Sequence, residues 1–211
     1  MPQALSKHSL TRIAILSRAP LPGQTKTRLI PALGAQGAAD LHHQFLRRTV
    51  RTALTAKLGP VNLWCTPDKA HPAFAACQQL GPLTLHRQST GDLGARMLAT
   101  LAANTPTLII GTDCPALTPE HLQQAAAALS DHDAVLIPAE DGGYVLIGLR
   151  QPAPAVFADM TWGCATVLEH TRQRLRDAGL SWRELPALWD VDEPADLVRL
   201  AKLAPELLTP I

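Results

Sequence analysis

Short aliphatic runs alternate with longer amphipathic segments along nearly the whole chain, the pattern of buried strands taking turns with helices. Runs at residues 12–17 (RIAILS), 61–66 (VNLWCT), 107–112 (TLIIGT), 133–138 (DAVLIP) and 144–149 (YVLIGL) predict strands. Helical spacing predicts helices over residues 35–58, 72–80, 93–103, 119–129, 164–179 and 193–203. The fourth begins with Thr118 as a cap, Pro119 at the first helical position and Glu120 beside the positive helix end, all favourable choices. Little in the sequence spells a β-hairpin, so the expected architecture is a mostly parallel sheet covered by helices on both faces. In such a sheet, ligands collect beyond the carboxyl ends of the strands, near the point where strand order reverses. The segments that matter most are therefore RAPLPGQTKTRL, GTDCPAL, AEDGGY and, near the end, WDVDEPADL.

Length and charge narrow the picture. A chain of 211 residues suits one sizeable core, and a single domain over residues 1–211, with its core at about 12–203, is expected. Nineteen Lys and Arg against 18 Asp and Glu give a formal charge of +1, so no global field recruits nucleic acid or an anionic membrane. Cationic chemistry must act locally. The four cysteines form no C-x-x-C pair, which argues against a zinc knuckle or a disulfide framework and for reduced thiols in a cytoplasm. No apolar stretch reaches the ~18 residues that a membrane span needs. No internal repeat, low-complexity tract or linker stands out.

The turn SRAPLPGQTKTRL (residues 17–29) puts prolines, a glycine and three cations just after the first strand. It is not a Walker A loop, because Thr25 rather than a glycine precedes Lys26 and that spacing is fixed by how the backbone wraps phosphate. The G-x-G-x-x-G fingerprint is absent as well. What remains is a looser cradle in which Pro20, Pro22 and Gly23 turn the chain and Lys26 and Arg28 supply a point charge and a forked donor. A merely solvated basic loop would have the same composition; its place after the first strand favours phosphate.

Carboxylates supply the opposite charge. Asp113 ends an aliphatic strand and faces the expected crevice, which suits a ligand to Mg2+ or Mn2+, although it could instead cap the next helix. Glu140 and Asp141 precede paired glycines, a sequence that also spells a turn between strands. Asp190 and Asp192 alternate along WDVDE, which predicts that both point to one side, with Asp192 also a candidate cap for the last helix. In STGDLGARM, Gly91 and Gly94 bracket a helix entry that could meet an anion, with Arg96 nearby. Cys114 reads as small buried packing. His42 and His43, adjacent in mid-helix, read as an exposed pair whose side chains diverge. Trp162, Trp182 and Trp189 read as core or rim packing, with Trp162 or Tyr144 able to stack on a sugar or base.

Five segments, APLPGQTKTRL, GDLGARM, LIIGTDCPAL, DGGYVLIGL and DVDEPADL, stand in an order that resembles a bacterial family of GT-A-type, nucleotide-diphospho-sugar transferase-like proteins associated with radical-SAM and selenocysteine-containing proteins. The resemblance runs from about Arg12 to Leu203. It implies a three-layer α/β/α GT-A fold, Rossmann-like with a mostly parallel central sheet, akin to glycosyltransferases and small nucleotidyltransferases. It implies nucleotide contacts from Ser17, Arg18, Ala19, Pro20, Gly23, Lys26, Arg28, Gly91, Asp92 and Arg96. It further implies Mg2+ or Mn2+ at Asp113, Asp190 and Asp192, and catalytic roles for Asp113, Asp141 and Lys26. The D-x-D of many metal-dependent glycosyltransferases is reduced here to Thr112-Asp113-Cys114, and WGCAT around Trp162 departs from the Trp-Ser-Thr of the pattern.

The expected function is metal-dependent transfer from a nucleotide-sugar donor to a small-molecule acceptor, with nucleotidyl transfer from an NTP to a phosphorylated small molecule as the alternative. Metal-assisted phosphate-ester hydrolysis and a non-catalytic nucleotide-binding protein are the rivals. Neither nucleic acid nor a membrane is an expected partner, and a homodimer is left open.

Overall fold

The computed structural model describes residues 10–102 and 105–209. The N-terminal residues 1–9 and residue 103, the last of the helix expected over 93–103, lie outside the described residues; that helix is shorter than expected, since it ends at Leu98 and residues 99–102 are not helical. Seven strands form one sheet: β1 (Arg12–Arg18), β2 (Val61–Thr66), β3 (Thr84–Arg87), β4 (Thr107–Ile110), β5 (Ala134–Pro138), β6 (Tyr144–Leu149) and β7 (Trp182–Glu184), in spatial order β3-β2-β1-β4-β6-β5-β7. Every neighbouring pair is parallel except the two that involve β6. The chain therefore grows from β1 outward to β3, then crosses to the other side of β1 to place β4. That reversal lies between β1 and β4, where an open α/β sheet forms its crevice.

Side chains alternate across the sheet, and each face has its own core. Ile13, Ile15, Leu63, Leu108, Ile110, Val135 and Ile137 pack under α1 (Ile30–Ala56), α2 (Pro72–Gln78) and α4 (Pro119–Ala128). Ala14, Ile109, Ala134, Leu136 and Ile147 meet Met97 of α3 (Leu93–Leu98), Val156 and Phe157 of α5 (Pro154–Phe157) and Leu168 and Leu175 of α6 (Val167–Asp177). A third cluster joins Leu41 and Phe45 of α1 to Trp189, Val191 and Leu200, the last on α7 (Asp196–Leu203). It is this third cluster that draws the late acidic segment over the carboxyl edge of the sheet.

Several sequence expectations need correction. β6 is antiparallel because the Asp-Gly-Gly segment closes a hairpin between β5 and β6, so the turn reading of that segment holds, while β5 itself stays parallel to β4. β3, β7 and α5, of four, three and four residues, are too short to imprint a period. α1 starts at Ile30, but Gly34 takes φ 71° and ψ 168°, so the regular helix resumes at residue 35, where the spacing placed it. Helix 193–203 is regular only from Asp196.

Candidate active site

The basic turn leaves β1 through a tight bend. Leu21 accepts a hydrogen bond from the Gln24 N–H at 3.0 Å, with Pro22 and Gly23 between them and Gly23 at φ 77°, the signature of a type II turn. The bend delivers Lys26, itself in the left-handed region at φ 48°, to the crevice. Its side chain is only 4% exposed. The ammonium lies 3.0 Å from Asp113 Oδ2 and 3.8 Å from Asp192 Oδ1, and donates to the Val191 carbonyl at 2.5 Å. Arg28, 64% exposed, donates to Asp192 Oδ2 at 2.6 Å.

These contacts add a structural role to the phosphate contacts expected of Lys26 and Arg28. The Lys26 ammonium has two acceptors within hydrogen-bonding distance, Val191 O and Asp113 Oδ2, with Asp192 Oδ1 at 3.8 Å adding charge alone, and Arg28 is paired with Asp192 through an exposed contact. Lys26 thereby ties the late segment to the end of β4. That segment crosses the carboxyl edge as a strap: Leu188 N–H donates to Pro138 O, Glu140 N–H to Leu188 O and Val191 N–H to Asp113 O, each at 2.9 to 3.0 Å.

Two cavities meet beneath the strap. A large one of about 630 Å³ is lined by Ser17, Arg18, Lys26, Arg28, His42, Gln88, Arg96, Gly111, Thr112, Asp113 and Asp192, among others. A small one of about 170 Å³ is lined by Gly111, Asp113, Cys114, Ala139, Asp141, Gly143, Tyr144, Val145 and Asp190. Gly111 and Asp113 belong to both. The large cavity is cationic at its mouth, the small one anionic. Arg18 is exposed, and among the described residues its guanidinium has neither hydrogen bond nor ion pair.

The structure brings most of the expected residues together. Ser17, Arg18, Lys26, Arg28, Arg96, Asp113 and Asp192 line the large cavity, and Asp141 and Asp190 the small one. Ala19, Pro20, Gly23, Gly91 and Asp92 line neither. Ala19 is buried and braces β2 through its N–H to Thr66 O. Pro20 and Gly23 shape the turn. Asp92 spends one carboxylate oxygen on the Ala95 N–H as the cap of α3 and the other on the Trp162 indole N–H, so it is a structural anchor. Gly94 has room for nothing more than hydrogen, since a Cβ there would meet Trp162 at 2.8 Å; Trp162 thus packs on α3 instead of standing free to stack.

Asp190 and Asp192 do not point to one side. Asp190 opens into the small cavity and Asp192 into the large one, because the strap hydrogen-bonds through Val191 to Asp113, just beyond β4, and does not run as a regular strand. Glu140 turns away, gripped in bidentate fashion by Arg199 at 2.7 and 3.0 Å.

His42 was missed. Far from exposed, it is 5% accessible in the wall of the large cavity. Its Nε2 lies 3.0 Å from the Arg18 carbonyl and its Nδ1 3.9 Å from Asp113 Oδ1. Positions 38, 42, 45 and 49, all buried on α1, form the stripe that would have placed it inside. His43, half-buried, flanks the same helix outside that stripe.

Charge is finely partitioned among the carboxylates. Burial would raise the pKa of Asp113, but the Lys26 charge, with His42 and hydrogen bonds from Lys26 and Thr112, holds it below the usual carboxylate range. Asp190 goes the other way, pushed up to about 6 by burial and by the neighbouring Asp141 charge. Burial lowers the pKa of His42 and favours the neutral ring. The Cys114 thiol is pushed up to about 12, chiefly by burial, which fits packing and not nucleophilic work.

A divalent cation suits this donor set. Among the described residues no group of three His, Cys, Asp or Glu side chains converges tightly enough to hold an ion by itself. Magnesium and manganese, however, take hard oxygen ligands and need only one or two protein carboxylates when phosphate and water complete the shell. Asp113 and Asp190 face the same small cavity, with Asp141 in its lining as well.

The strand order, the antiparallel β6 and a crevice with the Asp113 strand end at its centre define a GT-A-like, nucleotidyltransferase-type α/β fold. The chain belongs to the bacterial family described as "Uncharacterized protein conserved in bacteria (DUF2064)", whose profile matches residues 49–164. It is 30% identical to a candidate nucleotide-diphospho-sugar transferase from Desulfovibrio desulfuricans G20, over 93% of this chain and 89% of that one, with a TM-score of 0.80. Two distant structures share the fold. One is 4-diphosphocytidyl-2C-methyl-D-erythritol synthase from Anaerococcus prevotii DSM 20548, at 10% identity, 94% and 99% coverage and a TM-score of 0.63. The other is Rv0371c from Mycobacterium tuberculosis H37Rv in complex with manganese, at 16% identity, 92% and 98% coverage and a TM-score of 0.52. No curated protein matches the chain. No helix among the described residues is long and apolar enough to cross a membrane.

Proposed function

We propose that this chain is a transferase that takes a nucleotide-diphospho-sugar as donor and passes the sugar to a small hydroxyl-bearing acceptor. The observation that carries the reading is the junction at Gly111 and Asp113, where a cation-lined cavity large enough for a nucleotide opens beside a small acidic one. The diphosphate would lie toward Arg18 and Arg96, with Arg28 able to exchange its Asp192 partner for phosphate, since an exposed ion pair costs little to break. Lys26 positions Asp113 and the strap. Asp113 and Asp190 would hold Mg2+ or Mn2+, which when bound supplies positive charge against the diphosphate.

In the step itself the acceptor oxygen bonds to the anomeric carbon, the bond from that carbon to the diphosphate oxygen breaks, and the nucleoside diphosphate leaves with the electron pair. The acceptor proton passes to a nearby carboxylate, for which Asp141 in the small cavity is the candidate. Positioning and charge stabilisation then supply most of the acceleration.

The test is a panel of UDP-, GDP- and CDP-sugars and of NTPs, each with and without Mn2+, read by thermal shift and by product analysis. The reading expects metal-dependent stabilisation and release of nucleoside diphosphate from a sugar nucleotide. Pyrophosphate released from an NTP would assign nucleotidyl transfer instead, and stabilisation without metal or turnover would make the protein a nucleotide binder.

A further inference from the structure

His42 carries an unspent hydrogen-bond acceptor. Its side chain is 7% exposed, and the Nε2 atom is held 3.0 Å from the Arg18 carbonyl oxygen. A carbonyl oxygen can only accept, so Nε2 bears the hydrogen, and in a ring this deeply buried, where a charge would be costly, Nδ1 presents a lone pair. That Nδ1 is buried and has no hydrogen-bond partner among the described residues. The nearest polar atom recorded for it is Asp113 Oδ1 at 3.9 Å, itself an acceptor.

Apart from the exposed Arg18 guanidinium, the side-chain donors closest to this Nδ1 are committed elsewhere. Lys26 serves Val191 and Asp113, Thr112 Oγ1 serves Asp113, Ser17 Oγ serves the Arg18 carbonyl, and the Gln88 amide serves Ser17 O and Trp64 O. A buried acceptor left unmet is costly, and native structures seldom keep one without a reason. Phosphate oxygens cannot meet the need, because they accept as well. An O–H group can.

We infer that His42 positions the donor substrate by accepting, at Nδ1, a hydrogen bond from one of its sugar hydroxyls. The inference rests on the proposed function and adds to it a specificity-determining contact on α1, a helix that otherwise only supports the crevice. Both the pentose of the nucleotide and the transferred hexose offer such a hydroxyl. The substrate class is thus one that presents a hydroxyl within reach of Asp113, and a nucleotide stripped of it loses the contact.

The experiment is titration calorimetry in Mn2+ with wild type and His42→Phe, which keeps an apolar ring of similar size. One arm compares UTP, CTP and GTP with their 2′-deoxy and 2′,3′-dideoxy counterparts, and the other compares UDP-glucose and GDP-mannose with UDP and GDP. In wild type, removal of the partner hydroxyl should weaken binding about tenfold; in His42→Phe the same removal should cost nothing, a coupling that a purely structural role would not produce. The arm in which the coupling shows names the sugar. Independently of any variant, the 15N resonance of His42 Nδ1 in the wild-type protein should shift on addition of the hydroxyl-bearing ligand and not of its stripped counterpart. Equal losses in both proteins with a static resonance would overturn the inference while leaving nucleotide binding intact, whereas no binding by any of these nucleotides would bring down the broader reading and this contact together.

Discussion

The Lys26 ammonium lies 3.0 Å from Asp113 Oδ2, so the end of the first crevice loop is bonded to the end of β4. The same ammonium reaches the Val191 carbonyl, and one buried cation thereby joins three segments that are distant in sequence. Removing one partner of a buried pair is costly because the other charge stays behind. Asp113 is 46% exposed, which screens part of that cost. Lys26→Met should therefore lower stability by about 2 kcal/mol in urea titration, and a double variant that adds Asp113→Asn should be less unstable than the two losses summed. The Val191 amide, bonded to Asp113 O, should exchange hydrogen faster in Lys26→Met; an unchanged rate would mean that the lysine does not hold the strap.

Asp190 gives a pH signature. Its pKa is raised in the folded protein to about 6 by burial and by Asp141, against 3.8 for the unconstrained group. A raised carboxyl contributes stability that is fully present below about pH 4 and lost as pH rises through about 6. In metal-free protein at pH 8, Asp190→Asn should then be more stable than wild type by about 1 kcal/mol, discounted for partial exposure. The difference should shrink as pH falls from 6 to 4. The same variant should bind Mn2+ more weakly, so that stability and ligation move in opposite directions. Equal denaturation midpoints for the two proteins at pH 8 would show that Asp190 carries no such burden.

Two glycines, one in the crevice and one in the hairpin beside it, should respond in opposite ways. A Cβ at Gly142, where φ is 90°, would fall 2.1 Å from the Ala165 carbonyl oxygen. Both strain and clash follow, and Gly142→Ala should cost about 3 kcal/mol or more. Gly111 has nothing within 4 Å of its added Cβ and lies at the junction of the cavities. Gly111→Ala should leave stability within about 0.5 kcal/mol yet weaken Mn2+-dependent nucleotide binding. Denaturation and calorimetry on the same samples separate the two.

The roles of Asp92 and Arg96 can be divided in the same manner. Asp92 caps α3 and anchors Trp162, so Asp92→Ala should cost about 1 kcal/mol or somewhat more with nucleotide affinity nearly unchanged. Arg96→Ala, at the wall of the large cavity, should do the reverse. A larger affinity loss from Asp92→Ala than from Arg96→Ala would return Asp92 to the binding site.

The parts of this architecture legible in the sequence were those with a period or a run. The five strands β1, β2, β4, β5 and β6 are largely buried aliphatic stretches, and the segment ending at Asp113 declares itself because a carboxylate follows closely on four buried residues. The basic turn was legible through Pro22 and Gly23, whose conformations admit few alternatives. Illegible parts depended on tertiary packing. The divergence of Asp190 and Asp192 comes from the backbone bond between Val191 and Asp113, which no local pattern announces. The carboxylate partners of Lys26 were hidden because they lie some 90 and 165 residues away. His42 was hidden by its neighbour: the adjacent His43 suggested an exposed pair, while the stripe through Ala38, Phe45 and Thr49 would have shown one imidazole facing the core.

The claim on which the rest depends is that diphosphate and cation meet at Asp113, and anomalous diffraction from crystals soaked with Mn2+ and UDP-glucose or GDP-mannose tests it directly. The account expects a manganese peak within coordination distance of Asp113, at the junction of the two cavities, with the diphosphate extending toward Arg18. An ordered nucleotide whose phosphates and manganese lie away from Asp113 would contradict it.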